Sequence, residues 1–254
     1  MIMNKYLQNL NRIEFVMTLA CTGKCKHCSE GEHKSPSEHI NGDDGAEIVY
    51  KICENFSINS LMTFGGEPLL YADDVCKIHA AAKDMEIPNR EIITNGFFSK
   101  NEKKINETAL QLAESGVTEI ALSVDAFHQE TIPLDIVKYF AKAVKATGVV
   151  IHTHPAWLVN KEADNPYNKQ THEILKEFEE MGITASDGNN IFPSGNALKY
   201  LKEYFATDKE YISPYLENPE DIRAISISQN GNVLNGNIYQ NDILDIIRNY
   251  KPNI

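Results

Sequence analysis

No apolar run in the 254 residues approaches the ~20 residues that a membrane-spanning helix needs. Basic residues are scarce: 24 Lys and Arg stand against 36 Asp and Glu, a formal net charge of −12. That balance repels phosphate backbones, so no nucleic-acid partner and no membrane partner are expected. The stretch Val16-Met17-Thr18-Leu19-Ala20-Cys21 resembles a lipoprotein cleavage site only faintly, because Arg12 and Glu14 interrupt the segment before it. A cytoplasmic location is expected. There are five cysteines, an odd number with no secretory signal, which argues against a disulfide framework and for metal binding or catalysis. No internal repeat and no low-complexity segment is present.

What is present is a regular alternation. Strand-like segments at 13–19, 60–64, 91–94, 119–124 and 149–154 are separated by helical patterns at 44–56, 73–85, 102–115, 134–145 and 170–181. In the last of these, Ile174, Leu175, Phe178 and Met181 recur at helical spacing. A weak strand is expected at 182–186 and a sixth helix at 194–205. This order predicts βαβ units around a parallel sheet, whose sites lie on loops at the C-terminal strand ends. After about Pro214 the pattern changes. Ile225–Ser228 alternates, Asn230-Gly231 signals a hairpin, and 241–250 suits a closing helix. The fold class predicted is α/β, a partial (β/α)6 TIM-like barrel over residues 1–206. A small β-hairpin and helix extension over 207–254 is expected to pack on it. The segment from Ser29 to Gly45 is read as a loop that covers a site.

Three cysteines sit in Cys21-Thr22-Gly23-Lys24-Cys25-Lys26-His27-Cys28. Three thiolates on one loop suit three irons of a cubic [4Fe–4S] cluster and leave the fourth iron open. A structural zinc site is the competing reading. It usually needs a second ligand pair, which the sequence does not offer. Cys53 and Cys76 fall on apolar helical faces and read as packing residues.

The spacing Cys21-x3-Cys25-x2-Cys28 resembles the signature of the radical S-adenosylmethionine (SAM) enzymes, and further motifs follow in that family's order. Gly65-Gly66-Glu67-Pro68 after the second strand resembles the segment that holds the SAM amino group. There Glu67 is an acceptor for an ammonium, and the glycines allow backbone to approach a ligand. Thr94-Asn95-Gly96 and Ser123-Val124-Asp125 resemble positions whose side chains reach the ribose or carboxylate of SAM. His27 stands where the family sets a ring against adenine. Asn189 and Ile191, within Gly188–Pro193, resemble its sixth-strand adenine contacts. The resemblance covers about residues 13 to 206. It implies one [4Fe–4S] cluster, SAM as cosubstrate, and reductive cleavage to methionine and a 5′-deoxyadenosyl radical that takes a hydrogen atom from substrate. It also implies an external electron donor of flavodoxin or ferredoxin type.

Candidate substrate groups are Asp125, His128 and Gln129 after the fourth strand, and His152, His154 and Trp157 around the fifth. His152 and His154 alternate and so face the same way. The tail is similar to a shortened SPASM extension, without cysteines for an auxiliary cluster. That similarity points to a peptide or protein side chain as substrate. A glycyl-radical-enzyme activase, a small-molecule enzyme acting on a nucleoside or pterin, and a non-catalytic iron–sulfur electron carrier are the alternatives.

Overall fold

The computed structural model describes residues 4–31, 38–206 and 216–252. Part of the loop expected at 29–45, and the start of the extension expected at 207–254, lie outside the described residues.

Six parallel strands form one sheet in the order β5-β4-β3-β2-β1-β8. They are β1 (Arg12–Val16), β2 (Ser60–Phe64), β3 (Asn89–Thr94), β4 (Glu119–Leu122), β5 (Val150–Thr153) and β8 (Ala224–Ile227). Helices α1 (Gly42–Cys53), α2 (Ala72–Asp84), α3 (Glu102–Glu114) and α5 (Leu134–Thr147) connect the first five. Asn41 starts α1 and Asn101 starts α3, each accepting two backbone N–H bonds with its side-chain oxygen. The short helix α4 (Ala126–Gln129) follows β4 directly. Beyond β5 come the two-residue strand β6 (Ala156–Trp157), helix α6 (Pro166–Glu180), strand β7 (Asn189–Asn190) and helix α7 (Gly195–Tyr200). β6 and β7 pair with each other.

The two sheet faces differ in chemistry. One level of the helix-covered face reads Phe15, Thr63, Ile92, Ile120 and Ile151 across five strands. On the opposite face, the adjoining level reads Ser226, Glu14, Met62, Glu91 and Glu119. This alternation is the period-two signature of a strand, with the apolar set buried under helices. Free cysteines also behave as predicted: Cys76 is buried and Cys53 packs against the same core.

Two expectations change. The segment 182–186 does not become a sheet strand. It makes a single bridge, Thr153 to Ala185, with hydrogen bonds Thr153 N to Thr184 O and Ser186 N to Thr153 O. Ile183 is its only large apolar residue, too little to bury a full strand. The sixth place is taken by β8, which pairs with β1 at the far edge of the sheet. So Ile225–Ile227 does not fold back as one arm of a hairpin. Asn230-Gly231 does turn, with Gly231 N donating to Ser228 O at 2.8 Å. The hairpin itself forms one step later, between β9 (Asn232–Val233) and β10 (Gly236–Asn237), and helix α8 (Ile243–Asn249) follows. Helix α6 opens with Asn165 as its cap and Pro166 in its first position.

Within the helix layer His79 of α2 is fully buried, and its Nε2 lies 3.0 Å from Thr63 Oγ1. Burial, helped by the Arg90 charge, pushes its pKa down to about 3. The unfolded chain takes up the proton near pH 6.5 and the folded chain does not. Stability is therefore complete above pH 6.5 and falls as the pH drops toward 3, by about 1.4 kcal/mol per pH unit. Urea unfolding at pH 7.5 and 5.5 should show wild type losing about 1.4 kcal/mol more than His79→Gln across that interval. Equal losses would mean that His79 is not held neutral.

Candidate active site

The cysteine loop begins where β1 ends, and it is locked to the loop after β2. Met17 N donates to Phe64 O at 2.7 Å, Gly66 N to Thr18 O at 2.7 Å, and Glu67 N to Ala20 O at 2.8 Å. A Cβ on Gly66 would lie 2.2 Å from Ala20 O, and one on Gly65 would lie 2.4 Å from Thr18 O. Gly65 also has φ +142°. The two glycines are needed for this loop-to-loop contact.

Glu67 has no exposed surface. Its Oε1 accepts from Leu69 N at 2.9 Å and Thr94 Oγ1 at 2.7 Å, and its Oε2 accepts from Asn95 N at 2.9 Å. Burial pushes its pKa up to about 7, against the pull of these bonds. Thr94 and Asn95 are nearly buried as well. Asn95 turns its amide to the cysteine loop, 3.2 Å from Thr22 Oγ1 and 3.5 Å from Cys21 Sγ. Glu67, Thr94 and Asn95 thus bind one another rather than face an open cavity. Pro68 is buried at the start of a 3-10 turn, Pro68–Tyr71.

All five cysteines lie in the described residues and none is in a disulfide. Cys21, Cys25 and Cys28 converge closely enough that their charges oppose one another. Burial first, and then neighbouring anions, push the Cys21 thiol up to about 11 and raise Cys25 further. Burial raises Cys28 too. A cationic group between the three would reverse that repulsion, so the donor set fits a metal cluster. The far side of the loop is also anchored. Asn196 of α7 donates its side-chain amide to Cys25 O at 3.0 Å and its backbone N–H to Cys28 O at 2.9 Å. Lys24 N donates to Thr131 Oγ1, and Lys26 pairs with Glu130 at 2.9 Å. Asn196, Thr131 and Glu130 belong to no recognisable motif, and the sequence carries no signal for them beyond a capping position at 194–196.

At the end of β4 the structure corrects the expectation for Asp125. Its side chain is fully buried. Oδ1 accepts from Phe127 N at 2.9 Å and His128 N at 3.0 Å; Oδ2 accepts from His128 Nδ1 at 2.7 Å and Ala156 N at 3.0 Å. Burial alone would raise its pKa, but the His128 charge and these bonds hold the carboxyl well below the usual range. With four donors on two oxygens, Asp125 has no capacity left for a ligand. His27 sits beside it, its ring 5.1 Å from Phe127 and 4.7 Å from His128 between centroids. Burial lowers its pKa to about 4, and its Nδ1 is buried with no protein partner among the described residues. Ser123 is half-buried, its backbone N bonded to Thr94 O at 2.8 Å. Gln129 accepts from Asp125 N through Oε1.

The residues around β5 divide. His154 joins the rim: its Nδ1 lies 2.9 Å from Ser186 Oγ and its Nε2 2.8 Å from Asn189 Nδ2. Asn189 is exposed, and Ile191 is buried in a satellite core with Phe127, Leu158, Ala197 and Leu201. His152 faces the same way as the alternation predicts, its ring 6.3 Å from that of His154. It faces Glu119 at 3.0 Å, one layer deeper on the helix-free face. Trp157 is buried, with its indole N–H on Asp187 O, and Tyr167 stacks on Phe127 at 4.4 Å; both are packing residues here.

The model of the radical SAM superfamily matches residues 15–149, more than half of the chain. The chain belongs to the radical SAM superfamily. It is thus an enzyme of that class, using a [4Fe–4S] cluster and SAM. Curated relatives include a probable GTP 3′,8-cyclase of Methanocaldococcus jannaschii, 26% identical over 50% of this chain and 40% of its own length. A second, from Saccharolobus islandicus, is 29% identical over 84% of this chain and 67% of its own. This radical SAM chain therefore spans 40% and 67% of those two proteins. Among solved structures, Streptococcus suis SuiB bound to precursor peptide SuiA matches with TM-score 0.59 at 15% identity, over 96% of this chain and 68% of that one. The enzyme anSMEcpe with bound AdoMet and Cp18Cys peptide matches with TM-score 0.57 at 14% identity, over 92% and 75%. At those identities the likeness is one of fold, the radical SAM partial barrel.

Loop contact at Gly66 makes a direct prediction for the radical SAM site. Gly66→Ala should destabilise the protein by about 3 kcal/mol through overpacking. Iron content after anaerobic reconstitution should fall well below four per chain. Gly148→Ala is the comparison: nothing lies within 4 Å of its added Cβ. It should cost about 1 kcal/mol for its left-handed backbone and leave iron loading intact. Equal behaviour of the two variants would contradict the loop-contact account.

Proposed function

We propose that Cys21, Cys25 and Cys28 hold the cluster, and that the enzyme abstracts a hydrogen atom from a peptide or protein side chain. When bound, the cluster and SAM supply methionine and the 5′-deoxyadenosyl radical. The chain's own residues hold and shape the site. The Gly65–Glu67 loop lies next to the cysteine loop and offers backbone carbonyls to the SAM amino group. His27, with its unpartnered Nδ1, flanks the adenine. Ser123, His128 and Asn189 are the polar groups left open at the mouth. The barrel over 1–206 carries the site, and the tail from 207 closes the sheet edge through β8. The protein works in the cytoplasm, fed by a flavodoxin or ferredoxin-type donor.

The observation that carries the substrate reading is the helix-free sheet face. Glu14, Glu91 and Glu119 share one level there, three carboxylates against one arginine: Arg12 pairs with Glu14 at 2.7 Å, and His152 lies 3.0 Å from Glu119. A nucleoside triphosphate, with about four negative charges, is repelled by such a surface; a neutral or cationic side chain is not. The likeness to probable GTP 3′,8-cyclases favours a second reading, a nucleotide substrate. The two are separated by one assay. Reconstituted protein with SAM and dithionite should form 5′-deoxyadenosine, and Cys25→Ala should form none. Adding GTP should leave the rate within about twofold, because an unbound anion does not alter turnover. GTP-dependent acceleration with GTP consumption would overturn the peptide reading. Absence of 5′-deoxyadenosine in all conditions would count against cleavage by this chain alone.

A further inference from the structure

The resemblance places a polar side chain of the turn after β4 on the sugar or carboxylate of SAM, and its nominal candidate is Asp125. The structure removes that candidate, since Asp125 is buried and both oxygens are fully used. It supplies another. His128 Nδ1 is committed to Asp125 Oδ2 at 2.7 Å. A carboxylate can only accept, so Nδ1 carries a proton toward Asp125 and Nε2 is the ring nitrogen left to meet a ligand. Nε2 makes no hydrogen bond to the described residues, and the side chain is 16% exposed. The ring stands edge-on to His27 and lies within electrostatic reach of Glu67 and of His154.

The covalent order of SAM narrows what meets that nitrogen. Its sugar lies between the methionyl group and the adenine. With the amino group at the Gly65–Glu67 loop and adenine at His27, the sugar falls in the interval that His128 overlooks. Resting on the radical SAM reading above, we propose that His128 Nε2, not the Asp125 carboxylate, hydrogen-bonds to a hydroxyl of the adenosyl sugar. Asp125 acts on the ligand only through the ring, as a positioning residue.

The test is a double-mutant cycle on cluster-reconstituted protein, with S-adenosylhomocysteine binding measured by calorimetry. Iron content and circular dichroism establish that each variant is folded and loaded. His128→Ala should weaken binding about tenfold, the range of one hydrogen bond. Asp125→Asn keeps the acceptor for Phe127 and His128 N–H but turns an amide donor toward Nδ1. It should weaken binding severalfold, and the double variant should bind no worse than His128→Ala. Nitrogen-15 spectra should show His128 protonated at Nδ1 in wild type and at Nε2 in Asp125→Asn. His128→Gln, able to donate to Asp125 and accept with its oxygen, should recover binding to within about threefold of wild type. The proposal is overturned by unchanged affinity in His128→Ala, by an Asp125→Asn effect that persists in full without His128, or by an unaltered tautomer. A wild-type protein that binds no S-adenosylhomocysteine overturns the radical SAM reading and this proposal with it; an additive cycle in a protein that binds overturns this proposal alone.

Discussion

The site is organised around one buried carboxylate. Glu67 reaches Thr94 and Asn95 at the end of β3, while its own N–H holds Ala20 in the cysteine loop. Three separate segments are thereby set in register by groups that water never touches. A buried charge so placed is costly unless every lone pair is used, and burial has already drawn its pKa up to about 7. Three donors on Glu67 offset that cost. Removing any one leaves a polar group stranded in a low-dielectric interior. The geometry of the cysteine loop therefore depends on residues 40 to 70 positions away in sequence.

A second layer holds the loop from outside. Asn196 binds the carbonyls of Cys25 and Cys28. The satellite core of Phe127, Leu158, Ile191, Ala197 and Leu201 backs His27 through Phe127. Asp125 then joins α4 to the start of β6 through Ala156 N. The open metal-binding loop is thus flanked by preorganised groups, as sites that must hold a reactive cofactor require. On the helix-free side the sheet presents three carboxylates against one arginine, Arg12, which sets a charge preference for whatever enters.

Sequence periodicity located the first five strands and four connecting helices closely, because βαβ units write strong local patterns. Two features escaped it. The segment 182–186 has too little apolar character to decide between strand and loop, and the contest is settled by β8, whose pairing with β1 spans more than 200 residues. Non-local pairing of that kind leaves no local signal. In the site, the structure adds contacts that the motifs do not carry. Gly65 and Gly66 read as ligand-approach glycines, and they also make the contact with Thr18 and Ala20. Asp125 reads as a ligand contact and proves to be saturated by its own turn. Asn196, which anchors two cysteine carbonyls, lies in an unremarkable helix start. Its role depends on a loop 170 residues earlier.

The account rests on a cysteine loop that leaves one iron open to SAM. The most direct measurement is the electron paramagnetic resonance spectrum of the dithionite-reduced, reconstituted protein, taken before and after SAM is added. Direct coordination of the open iron predicts a changed signal, absent when SAM is added to a Cys25→Ala sample. An identical spectrum with and without SAM, in protein carrying about four irons per chain, would contradict it and leave the cluster as an electron carrier only.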